Sequence, residues 1–549
     1  MGSLGGEDTV TLLAGGAIKV SSVETVYGSD ATDTITLLAA NWVKVSAVET
    51  VLGSTNADTI TLLGDSSAAV SAVETVLGSL GGEDTVTLLA GGATKVADIE
   101  TVSGSTGVDT ITMLVSGAVS VSAIETVLGY YGWDTITLLA ASSVAVSSVE
   151  TVLGSDGTDT IALLAANWIQ VTAVETVLGS TSASDGVTLL ADGAISVSGV
   201  ETLFGSSAID TITLLASGGV KVADIDTVLG STGADTIALL VNGAISVSGV
   251  ETLLGLSGED TVTLLAGGAT KVSSVETVLG STNVDTITLL SNSAVAVSAV
   301  ETVLGSLGGE DTVTLLAGGA IEVSSVETVV GSDGIDTITL LAANWVKVID
   351  VETVIGSSEA DTITVLGSSH TYLSGSAGDD LLIGDFGGYN TFIGGGGTDI
   401  MSSTSSTGHD IFQFTVGDSD ATGVSFDKIY GWTSNDTIDF GSVSLSISAN
   451  GLTATSGTAA INSHGLATFV GNGVGLSVSD MVTAVESGLS TGSSTFGECA
   501  VFTDGHGNSY LFISDGADGV QSTDVIIELV EVTVNTGIVI TSGDISSIT

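Results

Sequence analysis

Apolar and polar residues alternate in short runs along most of this chain. In Asp33-Thr34-Ile35-Thr36-Leu37 the alternation puts Ile35 and Leu37 on one face and Thr34 and Thr36 on the other, the period of a half-buried strand. Val43 and Val45 flank Lys44 in the same way, so a second strand follows soon after. Val48-Glu49-Thr50-Val51-Leu52 is rich in β-branched residues, but its parity slips against Val43 and Val45. A bend near Ser46-Ala47 is therefore required, and the pattern leaves Thr50 free to face either way. The elements predicted are two or three short strands joined by tight turns, with no place for helices.

This block recurs. Its aspartate marks the period: Asp8, Asp33, Asp58, Asp84, Asp109, Asp134, Asp159, Asp185, Asp210, Asp235, Asp260, Asp285, Asp311, Asp336 and Asp361. The numbering advances by 25 at most steps and by 26 at Asp58 to Asp84, Asp159 to Asp185 and Asp285 to Asp311. The extra residue falls between the opening glycine and the aspartate, as in Gly78-Ser79-Leu80-Gly81-Gly82-Glu83-Asp84. A fixed period of this kind means one supersecondary unit per repeat, unable to bury its apolar face except against its neighbours. The expectation is an all-β, right-handed parallel β-solenoid of about fifteen 25-residue coils over residues 1–366. A change of pattern predicts a short roll over 367–402 and a C-terminal β-rich domain over 403–549. In that last region Ser479-Asp480-Met481-Val482 reads as a helix start capped by Ser or Asp.

Charge changes the picture. The 549 residues carry 7 Lys plus Arg against 63 Asp plus Glu, a formal charge of -56, yet 43% of residues are hydrophobic. That apolar content suffices for a long core, so the chain is not read as disordered. An acidic field repels nucleic acid and anionic lipid, which excludes both as partners and makes cations the expected ones. The lone Cys499 excludes a disulfide framework, and the 74 glycines with no proline suit repeated tight turns. The start, Met1-Gly2-Ser3-Leu4-Gly5-Gly6-Glu7-Asp8, shows no signal peptide, and no apolar run is long enough to span a bilayer.

The turns resemble a known family. Gly154-Ser155-Asp156-Gly157-Thr158-Asp159 and Gly331-Ser332-Asp333-Gly334-Ile335-Asp336 follow the Gly-Gly-x-Gly-x-Asp-x-apolar-x nonapeptide of RTX (repeats-in-toxin) calcium-binding proteins, with Ser in second place. Gly375-Ser376-Ala377-Gly378-Asp379-Asp380 and Gly394-Gly395-Gly396-Gly397-Thr398-Asp399 follow it closely, and Gly384 to Phe392, with Asn390 in the aspartate place, follows it with one residue too many. Gly408 to Phe414 and Asn435 to Phe440 look like strands that close such rolls. The resemblance implies calcium held by the fifteen aspartates above and by Gly375, Gly378, Asp380, Asn390, Gly394, Gly397 and Asp399. Calcium prefers six to eight oxygens, and glycine turns offer backbone carbonyls beside a carboxylate. One such turn per 25-residue unit implies a single ladder on one edge, as in some giant RTX adhesins, with stacked carboxylates about 4.8 Å apart that require neutralisation. Ala31, Asn56, Ser182, Ala208 and Glu359 replace the glycine in fourth place, the second glycine of the Gly-Ser-x-Gly-x-Asp turn.

A second acidic column, Glu24, Glu49, Glu74, Glu100, Glu125 and onward, reads either as further ligands or as a solvated face. Trp42, Trp168 and Trp345 share one corner position and read as packing residues. The resemblance further implies export by a type I system through an uncleaved C-terminal signal, hence an extracellular or cell-surface site. It points to a structural protein that associates with copies of itself, as surface-layer or filament subunits do, with cell-surface polysaccharide as a further partner. Other readings are an adhesin arm, an ice-binding module built on the Thr34/Thr36 ladder, or a secreted hydrolase with an RTX tail. His370, His409, His464 and His506 are scattered and no catalytic motif is present, so the chain is read as no enzyme.

Overall fold

The computed structural model describes residues 6–181, 184–367, 370–385, 387, 389–404, 407–423, 426–489 and 496–549. Ser182 and, in the loose nonapeptide, Phe386 and Gly388 lie outside the described residues. The chain forms two compact units, residues 1–260 and 261–549.

In the first unit each 25-residue motif forms three strands, such as Asp33–Leu37, Trp42–Ser46 and Thr50–Leu52. Pairing skips one strand each time. Gly16–Val20 pairs with Asp33–Leu37, which pairs with Thr50–Leu52, which pairs with Ser67–Ser71, all parallel. The intervening strands Thr25–Tyr27, Trp42–Ser46, Thr59–Leu62 and Thr75–Leu77 form a second parallel sheet. Strands of one sheet thus begin at Gly16, Asp33, Thr50 and Ser67, an even step of 17 in the numbering. The all-β parallel solenoid stands, but its coil holds two strands and repeats at that step of 17, not at 25. One motif spans a turn and a half, and two motifs complete three turns.

Inward side chains fill the space between the sheets. Ile35, Val43 and Val51 are wholly buried, as are Ile60 and Val76 in the next motif. Each such side chain is worth about 1.5–3 kcal/mol in apolar burial. Val51 points in and Thr50 out. The bend expected near Ser46-Ala47 is a left-handed residue: Ala47 has φ +50, and Ala72, Ala123, Ser148 and Ala173 repeat it. Its carbonyl then points at the opening glycine of the neighbouring coil. A Cβ on Gly28 would lie 1.6 Å from the Ala47 oxygen, so coils approach there only if the residue has no side chain.

In the second unit the same motifs continue to Thr362–Val365, after which coils lengthen. Thr362 pairs with Leu381 and Leu381 with Ile400, steps of 19, before Ile400 pairs with Lys428. The opposite sheet runs through Tyr372–Ala377, Thr391–Gly396, Ile411–Gln413 and Thr437–Asp439. Antiparallel strands Cys499–Thr503, Ser509–Ile513 and Val525–Leu529 then join the roll, Val525–Leu529 lying parallel beside Asp427–Tyr430. The helix Val478–Leu489 begins one residue before the expected Ser479, and its cap is Ser477 rather than Ser479 or Asp480. Ser477 caps it: its hydroxyl accepts from the Asp480 amide at 3.1 Å and donates to the Asp480 carboxylate at 2.7 Å. The helix buries Met481, Val482 and Val485 against Phe469, Phe502 and Phe512.

Candidate calcium centre

The motif turn is built around its aspartate. Asp33 Oδ2 accepts from the Ser29 amide at 2.6 Å and the Ser29 hydroxyl at 2.9 Å, while Oδ1 accepts from the Gly16 amide one coil away at 3.0 Å. These donors, the Ser29 amide foremost, hold the Asp33 carboxyl below the usual carboxylate range. Asp58, Asp84, Asp159 and Asp235 repeat the scheme with Ser54 and Asn41, Ser79 and Ser66, Ser155 and Ser142, and Ser231 and Gly218. The oxygens that the resemblance assigns to calcium are, in these turns, already accepting hydrogen bonds. Asp109 and Asp285 keep the near amide, from Ser105 and Ser281, and leave Oδ1 buried without a hydrogen-bond partner.

The 26-residue steps confirm where the extra residue goes. Ser79 and Ser306 sit five residues before Asp84 and Asp311 yet donate at the same 2.6 Å, with Gly81 and Gly308 taking up the slack at φ +81 and +76.

The glutamate column has a role that neither sequence reading named. Glu49 Oε2 accepts from the Asp33 amide at 2.7 Å, and Glu74, Glu100, Glu125 and Glu150 do the same for Asp58, Asp84, Asp109 and Asp134. Asp226 replaces glutamate once and still reaches the Asp210 amide at 2.8 Å. The signal was the spacing: glutamate lies 16 residues beyond its aspartate, one residue short of a coil.

Consecutive aspartate turns enter opposite sheets, Asp33 opening a strand of one and Asp58 preceding Thr59–Leu62 of the other. Motif aspartates therefore alternate between the two edges and recur on one edge only every third coil, about 14 Å apart. The single ladder expected on one edge is replaced by two sparse ones, because one motif is a turn and a half.

Beyond Asp361 the arrangement changes. The Asp361 amide donates to Asp380 Oδ1, the Asp380 amide to Asp399 Oδ1, and the Asp399 amide to Asp427 Oδ1, each at 2.8 Å. An aspartate has taken over the glutamate's task, so each coil on this edge brings a carboxylate next to the last. Their second oxygens, Oδ2 of Asp380, Asp399 and Asp427, are buried with no hydrogen-bond partner. Desolvation, then neighbouring carboxylates, pushes Asp380 up to about 7, Asp399 to about 6 and Asp427 to about 8. Glycine makes the room: a Cβ on Gly375 would lie 2.2 Å from Asp380 Oδ2, and one on Gly394 would lie 2.4 Å from Asp399 Oδ2. Gly378 and Gly397 sit at φ +115 and +145 in the same turns.

On the opposite edge the Asn390 amide donates to Asp410 Oδ1 at 2.7 Å and the Asp410 amide to Asp436 Oδ1 at 2.9 Å. There Ser403 and Thr433 donate to the second oxygens of Asp410 and Asp436, while Asn390 Oδ1 is buried without a hydrogen-bond partner. Burial raises the Asp410 and Asp436 carboxyls above the usual range.

Buried anionic oxygens without donors, spaced one per coil along glycine turns, fit a hard divalent cation. Among the described residues no three His, Cys, Asp or Glu side chains group as a metal site. The balance of a calcium shell here would be main-chain carbonyls of the turns and water. Asp427 was missed in the sequence because 28 residues separate it from Asp399 and no glycine nonapeptide precedes it; its mark is the alternation of Phe426-Asp427-Lys428-Ile429-Tyr430 before Gly431.

The histidines engage separate neighbours: His409 stacks on Tyr389, His464 lies beside Ser463 and His506 beside Asp504. No helix of the described residues is long and apolar enough to cross a membrane.

Parallel two-strand coils with acidic glycine turns define a calcium-binding β-roll. The family model of the RTX calcium-binding nonapeptide repeat, in four copies, matches residues 422–443, a stretch that contains Asp427 and Asp436. Fold and match together fit an RTX β-roll protein, and calcium is the cofactor such repeats bind. No curated protein matches the chain.

Proposed function

We propose that this chain is a secreted, calcium-dependent structural protein that assembles with copies of itself on or outside the cell, as a surface-layer or filament subunit. The observation that carries this reading is the row of buried, donor-free oxygens on Asp380, Asp399 and Asp427. Calcium held there by these carboxylates, by Asn390 and by the turns of Gly375, Gly378, Gly394 and Gly397 removes a charge penalty that otherwise opposes stacking. The motif aspartates Asp8 to Asp361 act mainly as amide acceptors that fix the coils. Residues 1–366 serve as the repetitive body, 367–402 as the metal-ordered roll, and 403–549 as the closing, assembly and export region. Millimolar calcium outside cells fills weak sites that cytosolic levels leave empty, which supports a secreted site of action.

Association is favoured by apolar residues on the edges: Leu38, Leu139 and Leu215 are about half exposed in turns, and Ile335 and Leu307 more so. With a charge of -56, copies repel one another until cations screen them, so assembly should follow calcium. Electron microscopy of the purified chain in millimolar calcium and in chelator tests this. Sheets or filaments in calcium that disperse in chelator are expected; isolated rods under both conditions reject self-assembly and favour an adhesin arm.

A further inference from the structure

Three departures from the 25-residue motif meet on one face of the first unit. Trp168 stands where most motifs carry Ala or Ser, Gly186 where they carry Thr, and Phe204 where Leu52, Leu128 and Leu153 stand in theirs. Their positions are evenly spaced, each about one coil from the next, and the strands Trp168–Thr172, Gly186–Leu189 and Thr202–Phe204 lie side by side. Trp168 is directly opposite Gly186, and Gly186 is opposite Thr202. A Cβ on Gly186 would lie 2.6 Å from the indole Cδ2, so the ring lies flat over the bare glycine. Phe204 supports it from the side, with centroids 5.9 Å apart and planes at 36°. Trp168 remains 55% exposed.

The other two tryptophans of this position are used differently. Trp42 and Trp345 face Thr59 and Thr362; Trp42 donates its indole N–H to Thr61, and Lys347 covers Trp345 at 4.7 Å. At Trp168 the neighbouring surface is instead a hollow of about 510 Å³ lined by Trp168, Glu201, Thr202, Gly219, Lys221 and Thr236. Gly219 occupies the tryptophan position of its own motif and keeps the floor low. Glu201 is held in place by accepting from the Asp185 amide at 2.8 Å.

We propose that this hollow binds a neutral hexopyranose unit of a polysaccharide. A flat, supported aromatic face meets the C–H face of a sugar ring, while a carboxylate, an ammonium and two threonine hydroxyls around it suit the equatorial hydroxyls. Phosphorylated or sulfated ligands are disfavoured by the charge of -56, and the adjacent Lys221 opposes an organic cation.

Calorimetric titration of the full chain with cellohexaose, maltohexaose and chitohexaose tests the site. Binding of at least one is expected, and Trp168→Ala should weaken it at least about tenfold, the loss typical of a stacked aromatic anchor. Gly186→Thr restores the motif residue, so it keeps the fold, yet it lifts the indole and should weaken binding to a similar degree. Trp42→Ala should leave affinity unchanged. No heat with any of the three sugars at millimolar concentration, unaltered affinity in Trp168→Ala or Gly186→Thr, or an equal loss in Trp42→Ala overturns the proposal.

Discussion

At the scale of the residue, the same amino acid does two jobs in this chain, and the difference lies in what its second oxygen meets. Asp33 closes a turn with amide donors on both oxygens and prefers its ionised form. Asp427 spends one oxygen on the Asp399 amide and buries the other, so it prefers its protonated form. Without calcium, the native roll therefore holds more protons than the unfolded chain wherever pH lies between the unfolded carboxylate range near 4 and the raised native values of about 6, 7 and 8 for Asp399, Asp380 and Asp427. Stability in chelator should accordingly rise as pH falls from about 8 to about 5, and decline again below about 4, where amide-paired carboxylates such as Asp33 lose their charge. Melting in chelator across this range checks the sign, and Asp427→Asn should flatten the upper part of the slope while raising the melting temperature at pH 8. A melting temperature that falls steadily from pH 8 to pH 5 contradicts the buried, unpaired state of these groups.

At the scale of the element, strand identity was legible because each strand keeps one face apolar: Ile35 and Leu37, Val43 and Val45, and Val51 all point inward as their alternation requires. The bend at Ala47 was legible from the parity slip, and the helix from Ser479-Asp480 and the apolar residues after it, although the cap proved to be Ser477 two residues earlier. Coil length was not legible. Three strands per motif is an odd number, so each motif ends on the sheet it began on and the next motif begins on the opposite one, and only strand pairing reveals this. The opening glycine was read as a turn residue, but its role is close approach. In Gly154→Ala the new Cβ would sit 1.6 Å from the Ala173 carbonyl oxygen and 2.6 Å from its carbon, both main-chain atoms with no rotamer to move. The cost should be on the order of 3 kcal/mol or more, localised to the adjoining coils. Hydrogen exchange should show faster exchange for amides around 151–176 in this variant, whereas Ala173→Gly, which relieves a left-handed alanine, should leave protection equal or higher. Uniform protection in Gly154→Ala removes the close-approach argument.

At the scale of the whole molecule, the hydrogen bonds impose a three-coil cycle on a two-strand coil. Along either edge an aspartate turn is followed by a glutamate turn and then by an alanine- or glycine-rich turn, because Asp58 needs the Asn41 amide on one side and the Glu74 carboxylate on the other. Each coil is thus specific to its neighbours, although all share one backbone path. The unit that can be removed is then the whole motif, a turn and a half, and not the single coil. Deleting residues 110–134 brings Asp109 before Thr135 and preserves the order of turns on both edges, since equivalent strands simply exchange sheets. Deleting residues 110–126 removes one geometric coil but joins Asp109 to Val127, which strands the Asp109 turn without Glu125 and leaves its buried amide unpaired. An unpaired buried amide costs about 1–3 kcal/mol, and on the other edge Asp134 loses the Gly117 amide and meets the Glu100 turn instead. The whole-motif deletion should melt cooperatively within a few degrees of the full chain, while the single-coil deletion should melt earlier or in two steps. Equal tolerance of both deletions indicates that apolar stacking alone sets the coil order, and that the alternation of aspartate and glutamate turns does not.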